Sequence, residues 1–186
     1  MNWNEHSQIK GLHAKILSPS QYSWLNYDEE KFIERCITIE AKERGTRRHA
    51  LAELLILERE KLPKVKKTLN MYVNDAIGFR MRPEQVLYYD HNCFGTADAI
   101  SFRNNFLRIH DLKTGETPAH MEQLYIYDAL FCLEYGYKPG DIKFENRIYQ
   151  NNEILIATPE VDIIAPIMDK IVTFSKLQDK VSEEGK

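Results

Sequence analysis

The sequence predicts an α/β fold: a mixed central β-sheet flanked by helices, with a helical region in front of it. Three observations lead there. Apolar residues recur at helical spacing through about residue 78. From Gln85 the apolar spacing shortens to two, the period of a strand. Strand-like and helix-like segments then follow one another to the end, a pattern that suits helices packed on a sheet. The 186 residues, 43% hydrophobic and 28% charged, suit one domain able to bury a core unaided. The expected organisation is a single domain over 1–186. Its helical region covers about 1–78, its sheet and helix about 84–157, and its closing helix about 159–180.

Ser18-Pro19-Ser20 marks a helix start, with Pro at the first helical position. Asp28 to Arg44 reads as a helix that Gly45 interrupts. Thr46 caps a second one, from Arg47 to about Lys61. Pro63 ends that run and opens a third helix, about Lys64 to Ile77. Gln85–Tyr89, Thr96–Phe102 and Phe106–Lys113 read as strands. Pro118 starts a helix that runs to about Glu134. Two strands, Asp141–Tyr149 and Glu153–Ile156, precede the closing helix Val161–Lys180, and Val181–Lys186 reads as a frayed tail.

Met1 to Lys10 is polar, unlike a secretory leader, and no apolar run reaches membrane-spanning length, so a cytoplasmic protein with no membrane partner is expected. Cys36, Cys93 and Cys132 are widely spaced and read as free thiols. A net charge of −3 lacks the basic excess of many nucleic-acid binders, but a local basic strip is enough to guide a phosphate backbone.

Charge concentrates between Gly95 and Thr114. A two-residue turn at Asn104-Asn105, where Asn tolerates left-handed backbone, sets the register. Phe102 then faces Leu107, Ile100 faces Ile109, Asp98 faces Asp111 and Thr96 faces Lys113. These pairs share one face, and the other face, with Ala99, Ser101, Arg103, Arg108 and His110, reads as mostly polar. Opposed carboxylates repel, and a divalent cation relieves that repulsion. An acid pair with an ammonium beside it suits metal-assisted phosphodiester hydrolysis. The alternative is a salt bridge of Lys113 to one Asp, with the other solvated at a strand end.

The segments Gly95-Thr96-Ala97-Asp98, Asp111-Leu112-Lys113 and Gln123 with Tyr127 resemble, in order and spacing, the PD-(D/E)XK nuclease superfamily. The likeness is to its RecB-like and phage-type exonuclease branch. Arg44-Gly45-Thr46-Arg47-Arg48-His49 resembles the first motif of that branch, and Leu17-Ser18-Pro19-Ser20 its opening. The resemblance implies a restriction-endonuclease-like αβββαβ core. It implies Asp98, Asp111 and His49 as metal ligands for Mg2+ or Mn2+, Lys113 as catalytic lysine, and Gln123 and Tyr127 as supporting catalytic residues. Glu53, one turn beyond His49, is a candidate supporting or alternative ligand. Arg44, Arg47, Arg48 and Ser20 are candidate DNA contacts. Lys61, Lys64, Lys66 and Lys67 form a second basic stretch, read as a solvated face or a phosphate track. Tyr22 and Trp24 read as core packing before base stacking.

Some relatives hold an iron–sulfur cluster on four cysteines, and three scattered ones predict none here. The expected function is a metal-dependent deoxyribonuclease, an exonuclease working from DNA ends in recombination, repair or phage DNA metabolism. A structure-specific endonuclease of the same superfamily and an inactive DNA- or protein-binding member are the alternatives. Related exonucleases form rings and work beside annealing proteins, so a homo-oligomer and a recombination partner protein join DNA as candidate partners.

Overall fold

The structure is a computed structural model and describes residues 14–184. The polar opening Met1–Lys10 lies outside them. The chain separates into two units, Met1–Arg44 and Gly45–Lys186. In the first, a 3-10 helix, Pro19–Asn26, follows Ser18 with Pro at its start. The Trp24 indole Nε1 donates to the Ser18 carbonyl at 3.0 Å, and Tyr22 is exposed rather than packed.

Helix α1 spans Glu29–Glu58 without a break. The expected interruption at Gly45 and the Thr46 cap do not occur. One internal glycine costs a helix only about 1 kcal/mol, too little to end one with favourable neighbours. Gly45 is instead a point of close approach, since a Cβ there would meet Thr114 Oγ1 at 2.9 Å. The helix ends at Arg59, which takes the left-handed position with φ 58°. Glu60 N–H then closes back onto the Leu55 carbonyl at 2.9 Å.

Helix α2, Thr68–Gly78, starts later than the expected Lys64. Side chains of that helix hold the segment before it. Asn74 bonds both the N–H and the carbonyl of Leu62, and Asn70 donates to the Pro63 carbonyl, each at 2.9 Å. Its first turn is capped from a distance: Asn152 Oδ1 accepts the Thr68 N–H at 3.0 Å.

Strands β1 (Arg82–Asp90), β2 (Cys93–Arg103), β3 (Phe106–Leu112), β4 (Lys143–Gln150) and β5 (Glu153–Ala157) form one mixed sheet, in that spatial order. All neighbours are antiparallel except β3 and β4. A parallel pair needs a crossover, and helix α3, Glu122–Tyr135, supplies it. It starts after the expected Pro118 because Gln150 holds the preceding loop. The Gln150 amide donates to the Gly115 and Thr117 carbonyls and accepts from the Ala119 N–H. Asn104-Asn105 and Asn151-Asn152 all have positive φ, so both hairpins use the two-residue turn read for the first. Helix α4, Val161–Glu184, keeps residues 181–184 helical where fraying was expected. No helix among the described residues is long and apolar enough to cross a membrane.

Two apolar clusters flank the sheet. Leu87, Leu107, Ile109 and Ile148 pack with Leu124 and Leu130 of α3 and Ile164 of α4. On the other side, Ala99, Leu112 and Tyr149 pack with Tyr72, Val73 and Ala76 of α2 and Ala52 and Ile56 of α1. That second face was expected to be mostly polar, yet Ser101 and His110 are buried in it. His110 lies under a paired network. Its Nδ1 is 3.2 Å from the Tyr149 hydroxyl, which donates to Asp75 at 2.7 Å, while Arg147 reaches the same carboxylate at 3.0 Å. Burial, with the Arg147 and Arg108 charges, pushes the His110 imidazole down to about 3, so it stays neutral. The thiols are free, with Cys132 buried and Cys36 and Cys93 partly so.

Asp128 of α3 is fully buried. Its Oδ2 accepts from Asn146 Nδ2 at 2.6 Å, while Asp128 Oδ1 and Asn146 Oδ1 have no partner. Two orphaned acceptors in one pair can be joined by a single proton, and burial pushes the Asp128 carboxyl up to about 8. The raised value makes the folded state bind the extra proton. Its stabilising effect is therefore complete below the unfolded carboxyl range, near 4, and is lost as pH rises through about 8. Asp128→Asn supplies the missing donor at every pH. In urea unfolding from pH 5 to 9, the variant should hold its midpoint above neutrality while the wild type loses stability; parallel curves would disprove the protonated pair.

Candidate functional site

Between β2 and β3 the predicted register holds at its inner end. Phe102 pairs with Leu107 and Ile100 with Ile109, and the ladder then stops at Ala99 opposite His110. The expected Asp98–Asp111 and Thr96–Lys113 pairs are not made. Thr96 pairs with Val86 of β1, and the Lys113 N–H donates to the Tyr149 carbonyl of β4 at 2.9 Å. The two strands therefore fork. The Asp98 carboxylate fills the fork, with Oδ2 accepting the Leu112 N–H at 2.8 Å. A side-chain acceptor takes the donor that a continued ladder would have used.

Alternation also breaks at Asp98. Ala99 and Met81 belong to the cluster under α2, whereas Ala97 and Leu87, of the same parity, belong to the cluster under α3. Between them lies Glu84, with φ 46° inside a strand. A non-glycine residue in that region is strained, and such strain collects at functional sites. Pro83 pairs with Ala99 and Gln85 with Ala97, so Glu84 is the residue opposite Asp98.

Single ligand atoms of His49, Glu84 and Asp98 lie within 4.8 Å of one another. His49 Nδ1 is 3.5 Å from Asp98 Oδ2. Asp111 stands outside that trio, with Oδ1 taken by Lys113 at 3.0 Å and Oδ2 buried without a hydrogen-bond partner. Lys113 Nζ also donates to Gln123 Oε1 at 2.9 Å. Tyr127 donates to the Thr96 carbonyl at 2.7 Å and so ties α3 to β2. His49, Asp98, Asp111, Lys113, Gln123 and Tyr127 thus come together from α1, two strands and α3.

Glu53 lies near enough to Glu84 to push its carboxyl up, but it is not one of the grouped donors. Arg47 and Arg48 precede His49 on α1 and are exposed. Ser20 and Arg44 belong to the first unit.

The site is short of positive charge. Burial, then the Asp111 charge, raises the Asp98 carboxyl to about 6, against the opposing effects of His49 and the Leu112 N–H. Burial raises Asp111 as well, with Lys113 opposing, and it raises Glu84. Oxygen-rich donors, a nearby imidazole and an unpartnered buried carboxylate oxygen form a set that suits a hard divalent cation.

Glu84 had escaped the sequence reading. Its signal was the register of β1 on β2. The His91-Asn92 turn pairs Asp90 with Cys93, but an irregularity between Tyr88 and Asp90 shifts the register by one residue. The unshifted register would place Gln85 opposite Asp98.

Gly95 is a second residue that matters by proximity. A Cβ there would meet Tyr127 Cε1 at 2.9 Å and its hydroxyl at 3.3 Å. Gly95→Ala should displace the ring and cost about 1–3 kcal/mol. Tyr127→Phe, losing one hydrogen bond, should cost about 0.5–1.5 kcal/mol. Urea unfolding checks the order, and an alanine no worse than the phenylalanine would refute the contact. No family model matches this chain, and no curated protein or solved structure matches it.

Proposed function

We propose that this chain is a metal-dependent deoxyribonuclease of the PD-(D/E)XK type, built on a restriction-endonuclease-like core and acting as an exonuclease from DNA ends. One observation carries the reading. The Lys113 ammonium is held at 3.0 Å from Asp111 and 2.9 Å from Gln123, and that Asp111 has a buried oxygen without a partner and lies within electrostatic reach of Asp98. A structural salt bridge has no use for the remaining acids. The hairpin bearing Asp98 and Asp111-Leu112-Lys113, followed by α3 as a crossover to a parallel β4, supports the proposed core.

Asp98, Asp111 and His49 would hold Mg2+ or Mn2+, with Glu84 as a further oxygen donor. When bound, the ion supplies Lewis-acid polarisation of the phosphate and a more acidic water. The chain's own groups do the positioning. Lys113 has three N–H donors and uses two on Asp111 and Gln123, which aims the third at a water or a phosphate oxygen. His49 and the Leu112 N–H fix the Asp98 carboxylate. Tyr127 anchors α3 and thereby Gln123. Water oxygen bonds to phosphorus and gives up a proton to solvent, the bond from phosphorus to the strand oxygen breaks, and the fixed cation of Lys113 offsets the developing charge.

End-labelled linear duplex, single-stranded DNA and closed circular DNA, each with Mg2+, Mn2+ or EDTA, form the test. Linear DNA should be degraded and the circle spared, with no cutting in EDTA. Asp111→Ala and Lys113→Ala should each lose at least about a hundredfold in rate. Cutting of the circle would make the enzyme an endonuclease at the same site. Binding without cutting would make it an inactive DNA-binding member, and activity surviving both substitutions would sink the site assignment. Independently of turnover, Mn2+ should raise the wild-type melting temperature in a concentration-dependent way, and Asp98→Asn should abolish the rise; no wild-type shift would count against the metal.

A further inference from the structure

A groove of about 450 Å³ opens beside Lys113. Its walls bring together Arg48 of α1, Lys67 and Asn70 at the start of α2, and Asn151 and Asn152 of the β4–β5 turn. No carboxylate lines it. The whole chain carries a net charge of −3, so a groove with three cations and no acid departs from the average surface. Neither Arg48 nor Lys67 makes an ion pair among the described residues. The groove is a built feature. Asn152 accepts the Thr68 N–H at 3.0 Å and donates its own N–H to the Thr68 hydroxyl at 2.7 Å. These two bonds clamp the β4–β5 turn to the first turn of α2. The positive end of the α2 dipole therefore adds to the side-chain charge there.

We propose that this groove holds the phosphate backbone of a DNA strand next to the bond being cut, with Arg48 and Lys67 on successive phosphates and the asparagine amides as further donors. The inference rests on the nuclease reading, because Lys113 belongs to both the groove and the proposed centre. The chemistry selects phosphate over base. Guanidinium and ammonium groups pair with phosphate oxygens, and no aromatic ring lines the groove to stack a base. Binding there is independent of sequence and weakens with salt. Lys67 thus leaves the solvated stretch Lys61–Lys67 and becomes a substrate contact. The first unit supplies none of these residues.

The test compares wild type, Lys67→Glu, Arg48→Ala and a control of equal charge change, Lys176→Glu on α4, whose side chain is exposed and outside the groove. Anisotropy of labelled oligonucleotides in EDTA gives affinity against salt, and cleavage in Mg2+ gives kcat and KM. Lys67→Glu should raise KM about tenfold or more, with a smaller change in kcat, and should lower the salt slope by about 0.7 on single strands. Lys176→Glu should do neither. Lys67 is exposed, and a thermal melt of each variant confirms that it folds. If wild type binds and cuts DNA but Lys67→Glu matches the Lys176→Glu control, the groove assignment falls and the nuclease reading stands. If wild type neither binds nor cuts, the nuclease reading falls and takes this inference with it.

Discussion

The site depends on the parting of β2 and β3 beyond Ala99 and His110. An antiparallel ladder that continued would have spent the Leu112 amide on the β2 backbone. Instead Leu112 gives its N–H to the Asp98 side chain, while Lys113, facing the other edge, continues the pairing with β4. The parting leaves that amide to a side chain. It fixes Asp98 as a carboxylate inside the sheet rather than on its surface, and it makes room for His49 to approach from α1. Unfavourable burial of acids follows directly, and the compensation comes from Lys113 and His49, neither of which neutralises the second oxygen of Asp111.

What was legible in the sequence was local. Asn104-Asn105 announces a left-handed two-residue turn, and the turn alone gives the Phe102–Leu107 and Ile100–Ile109 pairs. Alternation then places Lys113 beside Asp111. Gln123 and Tyr127 were found through the resemblance of their spacing to a known motif, and the geometry puts Gln123 on Lys113. The illegible parts are those decided by distant partners. The start of α2 depends on Asn152, the loop before α3 on Gln150, and the burial of His110 on Tyr149, Asp75 and Arg147. Gly45 reads as a helix breaker because its reason, the nearness of Thr114, lies elsewhere in the chain.

The sheet treats its polar interior in two ways. Under α2, Tyr149, Asp75 and Arg147 bond one another and reach the His110 Nδ1, while the His110 Nε2 has no partner and the imidazole stays neutral. Under α3, Asp128 and Asn146 lack one proton for full satisfaction. Helix α3 carries the Asp128 half of that pair and, on the same element, Gln123 and Tyr127. The rigidity of a helix transmits position along its axis, so the burial of Asp128 and the placing of Gln123 are parts of one packing problem.

The irregularity between Tyr88 and Asp90 acts as a parity switch on the charge of the site. It lies about 17 Å along the strand from Glu84, at the usual rise per residue. A ladder that ran regularly from the turn, without the kink, would slide β1 by one position and set the Gln85 amide where the Glu84 carboxylate now stands. The site would lose a negative charge without any of its residues being altered. The same slide would carry Leu87, which has no exposed surface, away from its place opposite Gly95. Core packing therefore guards the acid, since a chain cannot give up the kink without also breaking the apolar layer under α3.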